Sequence, residues 1–121
     1  MLKNESPDIS RHGVTRRWSD IVVFGGVAYF VEVPDDPKLP PPDQFRQVLR
    51  QVDDRLATVD SNRTKLLQVL VYLPEADDLQ EFNAIWDAWV PEGHAPSRAC
   101  VHARLAAPGY RVELVITAAA G

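Results

Sequence analysis

The sequence predicts an α+β fold, with one β-sheet, two helices on one face and the element order ββαβαββ. Three observations carry this expectation. Two stretches place apolar residues at helical spacing. Short runs rich in valine, isoleucine and leucine lie around them. A glycine pair and a proline cluster punctuate the boundaries. The chain has 121 residues, the size of a single domain with one core. Residues 1–121 are therefore read as one domain, with 1–15 as a flexible N-terminal segment.

The elements follow in chain order. Ile21 to Phe24 and Val27 to Val33 are β-branched runs joined by Gly25-Gly26, which reads as a hairpin with a primed turn. Prolines crowd positions 34–42 and make a stiff loop, because proline fixes φ and lacks the ladder donor. Pro42 suits a helix entry, where that donor is not needed. From Asp43 to about Asp60 the apolar positions Phe45, Val48, Leu49, Val52, Leu56 and Val59 fall on one helical stripe. Leu66 to Leu73 is almost wholly apolar and reads as a strand buried on both faces. Asp77 or Asp78 caps a second helix running to about Val90, with Leu79, Phe82, Ile85, Trp86 and Trp89 on its buried stripe. Ala99 to Leu105 and Arg111 to Ala118 read as a second hairpin around Ala106-Ala107-Pro108-Gly109.

Composition narrows the function. A net charge of −4, from 17 acidic against 13 basic residues, argues against a nucleic-acid or anionic-membrane binder. Apolar runs are too short to span a membrane, and no apolar signal core opens the chain. The single cysteine excludes an intrachain disulfide. These features set a cytoplasmic protein as the expectation. His12, His94 and His102 have no ligand spacing, so no metal site is expected. Cys100 and His102 share a strand face but lack an orienting third residue, which favours a small buried hydrophobe at Cys100.

Two residues stand out chemically. Arg98 enters an apolar strand, and Glu113 interrupts another. An arginine grips a carboxylate through a bidentate fork, and a nearby carboxylate handles a proton or a water. Spacing leaves open whether they meet, and a solvent-facing glutamate satisfies the same pattern.

The segments Val71-Tyr72-Leu73, Asp78 to Phe82, Asn83 with Trp86, Pro96-Ser97-Arg98-Ala99-Cys100-Val101, and Val112-Glu113-Leu114 with Ala118-Ala119 resemble the Rid family. These are the YjgF-like reactive-intermediate, or imine/enamine, deaminases. The likeness runs from Trp18 to the C-terminus. Arg17-Trp18-Ser19-Asp20 and Trp86-Asp87-Ala88-Trp89-Val90 look more like a divergent subgroup of short members. The resemblance implies a chorismate-mutase-like fold and a homotrimer with a central barrel, with sites in clefts between subunits. It implies hydrolysis of 2-imino or 2-amino-acrylate acids to 2-keto acids and ammonia, without cofactor or metal. Arg98 would bind the substrate carboxylate. Glu113 and the main chain at Cys100 would hold the attacking water. Asn83 and Trp18 match positions near the cleft. One departure stands out. Val31-Glu32 occupies the place of a small Ser-Gly or Thr-Gly pair. Glu32 would then either pair with Arg98, blocking it, or point away. The alternative to a deaminase is a non-catalytic trimeric ligand-binding or interaction protein.

Overall fold

Gly25 and Gly26 both take positive φ, at 61° and 77°, the backbone that a two-residue primed turn requires. Around them Ile21–Phe24 (β2) pairs antiparallel with Val27–Glu32 (β3). The computed structural model describes residues 8–121. Within the stretch expected to be flexible, residues 1–7 lie outside the described residues. Ser10–His12 instead forms a short edge strand, β1, paired antiparallel with β2.

The first helix, α1, spans Pro41–Ala57 and opens on consecutive prolines. Phe45, Val48, Leu49, Val52 and Leu56 are all buried, as the stripe requires. Leu66–Leu73 (β4) follows a single 3₁₀ turn at Arg63–Lys65. The second helix, α2, covers Leu79–Trp89. Asp78 sits at its N-cap but makes no capping hydrogen bond there. Its carboxylate instead takes the Arg111 fork, with Nε and Nη2 at 2.9 and 3.0 Å. Phe82 meets Phe45 edge to face at 5.3 Å, joining the two helices over the sheet.

Ser97–His102 (β5) and Glu113–Ala119 (β6) are not a hairpin. The sheet order is β1-β2-β3-β6-β4-β5. β6 lies antiparallel between β3 and β4, and β5 is the parallel partner of β4. The parallel pair uses α2 as its crossover. Burial explains the insertion of β6. Its Leu114, Ile116 and Ala118 are fully covered by the helix layer, which only a central strand achieves.

One buried amide ties the loops to this frame. Gln44 donates from Nε2 to the carbonyls of Pro37, Leu39 and Gly109, and its Oε1 accepts from the Arg111 backbone N–H at 2.8 Å. The proline loop and the 103–112 loop are thereby fixed to the start of α1.

Candidate functional site

The register of β5 on β4 sets Arg98 opposite Val69, Cys100 opposite Val71 and His102 opposite Leu73. All three valine and leucine partners are buried under the helices, so Arg98, Cys100 and His102 project to the helix face. There the Arg98 guanidinium donates from Nη2 to Oδ1 of Asn83 at 2.8 Å. It lies 5.2 Å from the Trp86 ring and 6.0 Å from the Phe82 ring. Asn83, Phe82 and Trp86 come from consecutive turns of α2, spaced so that they line the side facing β5. The Nη1 group of Arg98 is buried and has no hydrogen-bond partner among the described residues.

Cys100 is half-buried and packs on the core. Burial pushes its thiol pKa up, against a weaker downward pull from the Arg98 charge. A neutral thiol is a poor nucleophile. His102 Nδ1 approaches the Leu73 carbonyl at 3.3 Å.

Glu113 belongs to the opposite face. It starts β6 opposite Tyr72, and its neighbour Leu114 is the buried one. A shallow groove of about 360 Å³ holds Glu113 together with Tyr72 and Arg104. Arg104 did not stand out in the sequence, and Tyr72 did so only within Val71-Tyr72-Leu73; the face-sharing of Tyr72 with Glu113 follows only from the strand pairing. On this open face Tyr29, Val31 and Val101 are exposed.

Of the two arrangements open to Glu32, the structure shows the one that points away from Arg98. Glu32 is only 5 % exposed and does not pair with Arg98. Its carboxylate accepts from Arg55 Nε at 2.9 Å and from Gln51 Nε2 at 3.1 Å, both on α1. β6 and β4 separate its strand from that of Arg98. The side chain on the open face is Val31, at 53 % exposed. Trp18 is 61 % exposed on the turn between β1 and β2. Thr15 holds that turn, its Oγ1 accepting from the backbone N–H of Arg17 and Trp18.

Among the described residues no cluster of three His, Cys, Asp or Glu is placed to hold a metal ion, and no helix is long and apolar enough to cross a membrane. The ligand chemistry on offer is an arginine bedded on aromatic rings on one face and a glutamate on the other.

A mixed sheet with both helices on one face is shared with known proteins. The model of the family described as Endoribonuclease L-PSP matches residues 10–120. A RutC family protein of Haemophilus ducreyi is 42 % identical over 112 residues, covering 92 % of this chain and 96 % of that protein. The RutC family protein YoaB of Escherichia coli is 37 % identical over 111 residues, with 92 % and 97 % covered. The crystal structure of NMB1025 from Neisseria meningitidis, a member of the YjgF protein family, superposes with a TM-score of 0.91 at 39 % identity, covering 97 % of this chain and 98 % of that one. The chain belongs to this L-PSP/RutC/YjgF family, the Rid-like family of the sequence reading.

Proposed function

We propose that the protein is a hydrolytic deaminase of small 2-imino acids, working in the cytoplasm as a homotrimer whose sites lie between copies. The observation that carries this reading is Arg98. Its guanidinium is held at one nitrogen by Asn83 and bedded on Trp86 and Phe82, and Nη1 has no partner among the described residues. A buried unpaired donor costs about 1–3 kcal/mol. A modest swing of the fork onto a carboxylate relieves that cost and forms two charge-assisted bonds.

Glu113 supplies the second half. Arg98 and Glu113 of one chain project from opposite faces, so a site containing both takes its glutamate from another copy. The exposed Tyr29, Val31 and Val101 give the open face the apolar character of a subunit contact. In this reading Glu113 takes a proton from a water held at the Cys100 main chain. The water oxygen bonds to the imine carbon, the C–N bond breaks, and the nitrogen leaves as ammonia with the protons of that water. The product is a 2-keto acid. The C=N bond is electrophilic enough for this hydrolysis to need no cofactor. Trp18, exposed on its fixed turn, walls the cleft of a neighbour. Engagement of Glu32 by Arg55 and Gln51 leaves Arg98 free of an internal competitor.

Ammonia and pyruvate release from iminopropanoate, generated in situ by an amino-acid oxidase, tests the reading. Acceleration over buffer that vanishes in Arg98→Ala supports it. Buffer-level rates with a folded trimer overturn it. The second reading, ligand binding without turnover, draws on Val31, whose isopropyl group stands on the open face where active relatives are expected to carry a small residue. Saturable 2-keto-acid binding at Arg98 without any hydrolysis distinguishes it.

A further inference from the structure

A groove of about 630 Å³ runs between α1 and α2 on the solvent side of the helix layer, remote from β5 and from the open sheet face. Its floor is apolar, formed by buried Leu49 and half-buried Ile85. It is concave because Ala84 and Ala88, one helical turn apart on α2, leave the space that larger side chains would fill.

One end is a rigid wall. The Arg63 fork meets Asp53 through Nε and Nη2, each at 2.8 Å, and Nη1 donates to the Trp89 carbonyl at 2.9 Å. The Trp89 indole Nε1 donates to the same Asp53 at 3.1 Å, and Arg63 stacks 5.0 Å from the ring. Asp53 also holds the Arg63 pKa above its ordinary value, through the hydrogen bond first and its charge second, against the opposing effect of burial. The other lip is cationic. Arg46 and Arg50 are exposed one turn apart on α1; Arg46 donates from Nη1 to Asp43 Oδ1 at 3.3 Å, and Arg50 makes no ion pair among the described residues. Three arginines thus line the groove against one aspartate, in a chain whose net charge is −4.

We infer that this groove is a second binding site, for a small molecule with a planar aromatic body and one anionic group. The ring lies on Leu49 and Ile85 against the Trp89 edge, and the anion faces Arg46 and Arg50. The volume suits a small ligand, since such pockets span about 300–1,000 Å³. The wall is already fixed by its own hydrogen bonds, so little ordering remains to oppose binding. Because the groove is on the helix layer, contacts between open sheet faces leave it uncovered. The inference does not depend on the deaminase reading.

The test uses 2-naphthoate as the probe and 2-naphthamide as its neutral counterpart, followed by ¹⁵N NMR on the full chain. Saturable binding below about 1 mM is expected, with shifts centred on the Trp89 indole N–H, Leu49 and Ile85. Arg50→Glu should weaken it about ten-fold, the scale of a lost charge-assisted contact, and 2-naphthamide should bind more weakly to a similar degree. Ala88→Leu should abolish binding while leaving the backbone spectrum elsewhere intact. Both positions are exposed at the surface, so folding is preserved. Equal binding of acid and amide, indifference to Arg50→Glu, or shifts centred on Arg98 and Cys100 each overturn the assignment. So does saturation by an acidic amphipathic helical peptide with none by 2-naphthoate.

Discussion

Arg98 and Glu113 lie on opposite faces of one sheet. Arg98 pairs with Val69 and turns under α2, whereas Glu113 pairs with Tyr72 and turns to the open side. Their positions differ by about 10 Å along the strands and by two strand spacings, about 10 Å, across them. A single chain therefore does not bring the two groups onto one water.

That separation predicts complementation. Arg98→Ala and Glu113→Gln should each be inactive as pure proteins. Co-refolded at equal amounts, they should regain about a quarter of wild-type ammonia release, because in a closed heterologous ring one interface in four joins an intact arginine to an intact glutamate. Recovery of nothing from well-folded mixed trimers would count against the intersubunit site.

The Glu32 network predicts a structural effect. Glu32→Gly removes a buried carboxylate from Arg55 and Gln51. Because Arg55 is partly exposed and can rehydrate, the expected loss is about 1–2 kcal/mol. A urea melt reads it directly. Deaminase activity per folded protein should not rise, since the side chain is not in the way of Arg98.

Gln44→Ala should cost more. It strands the Arg111 N–H and loosens three loop carbonyls around a residue that is 1 % exposed. A loss of about 2–4 kcal/mol is expected from the unsatisfied groups and the cavity together. Hydrogen exchange at the Arg111 amide should accelerate well beyond that of the β4 core.

The pH behaviour of Cys100 gives a sign that can be checked. Its thiol pKa is raised by burial, so at any given pH the folded protein holds less thiolate than the unfolded chain. Iodoacetamide labelling should be slower in the native state, and its pH profile should lie to the alkaline side of the denatured one. The contribution of the neutral thiol to stability is full below the unfolded thiol's pKa and is lost as pH rises through the folded one. Because the main chain is the part proposed to act, Cys100→Ala should keep most of the activity. Its loss with the trimer intact would assign the thiol a chemical role.

The sequence alone determined both helices and the first hairpin. The stripe from Phe45 to Leu56 and the Gly25-Gly26 turn are local features, fixed by helical periodicity and by backbone freedom at positive φ. It also singled out Arg98, Asn83, Cys100 and Glu113 through residue types in a family pattern. The tertiary structure decided where the last two strands go. Nothing in Ala106 to Gly109 states that β6 leaves β5 and inserts between β3 and β4. That choice is made by burying Leu114, Ile116 and Ala118 under both helices, a long-range packing gain invisible to local spacing. The same choice sends Arg98 and Glu113 to opposite faces and gives Glu32 to Arg55. Side-chain facing follows strand pairing, and pairing is set by which apolar faces the whole chain can cover at once.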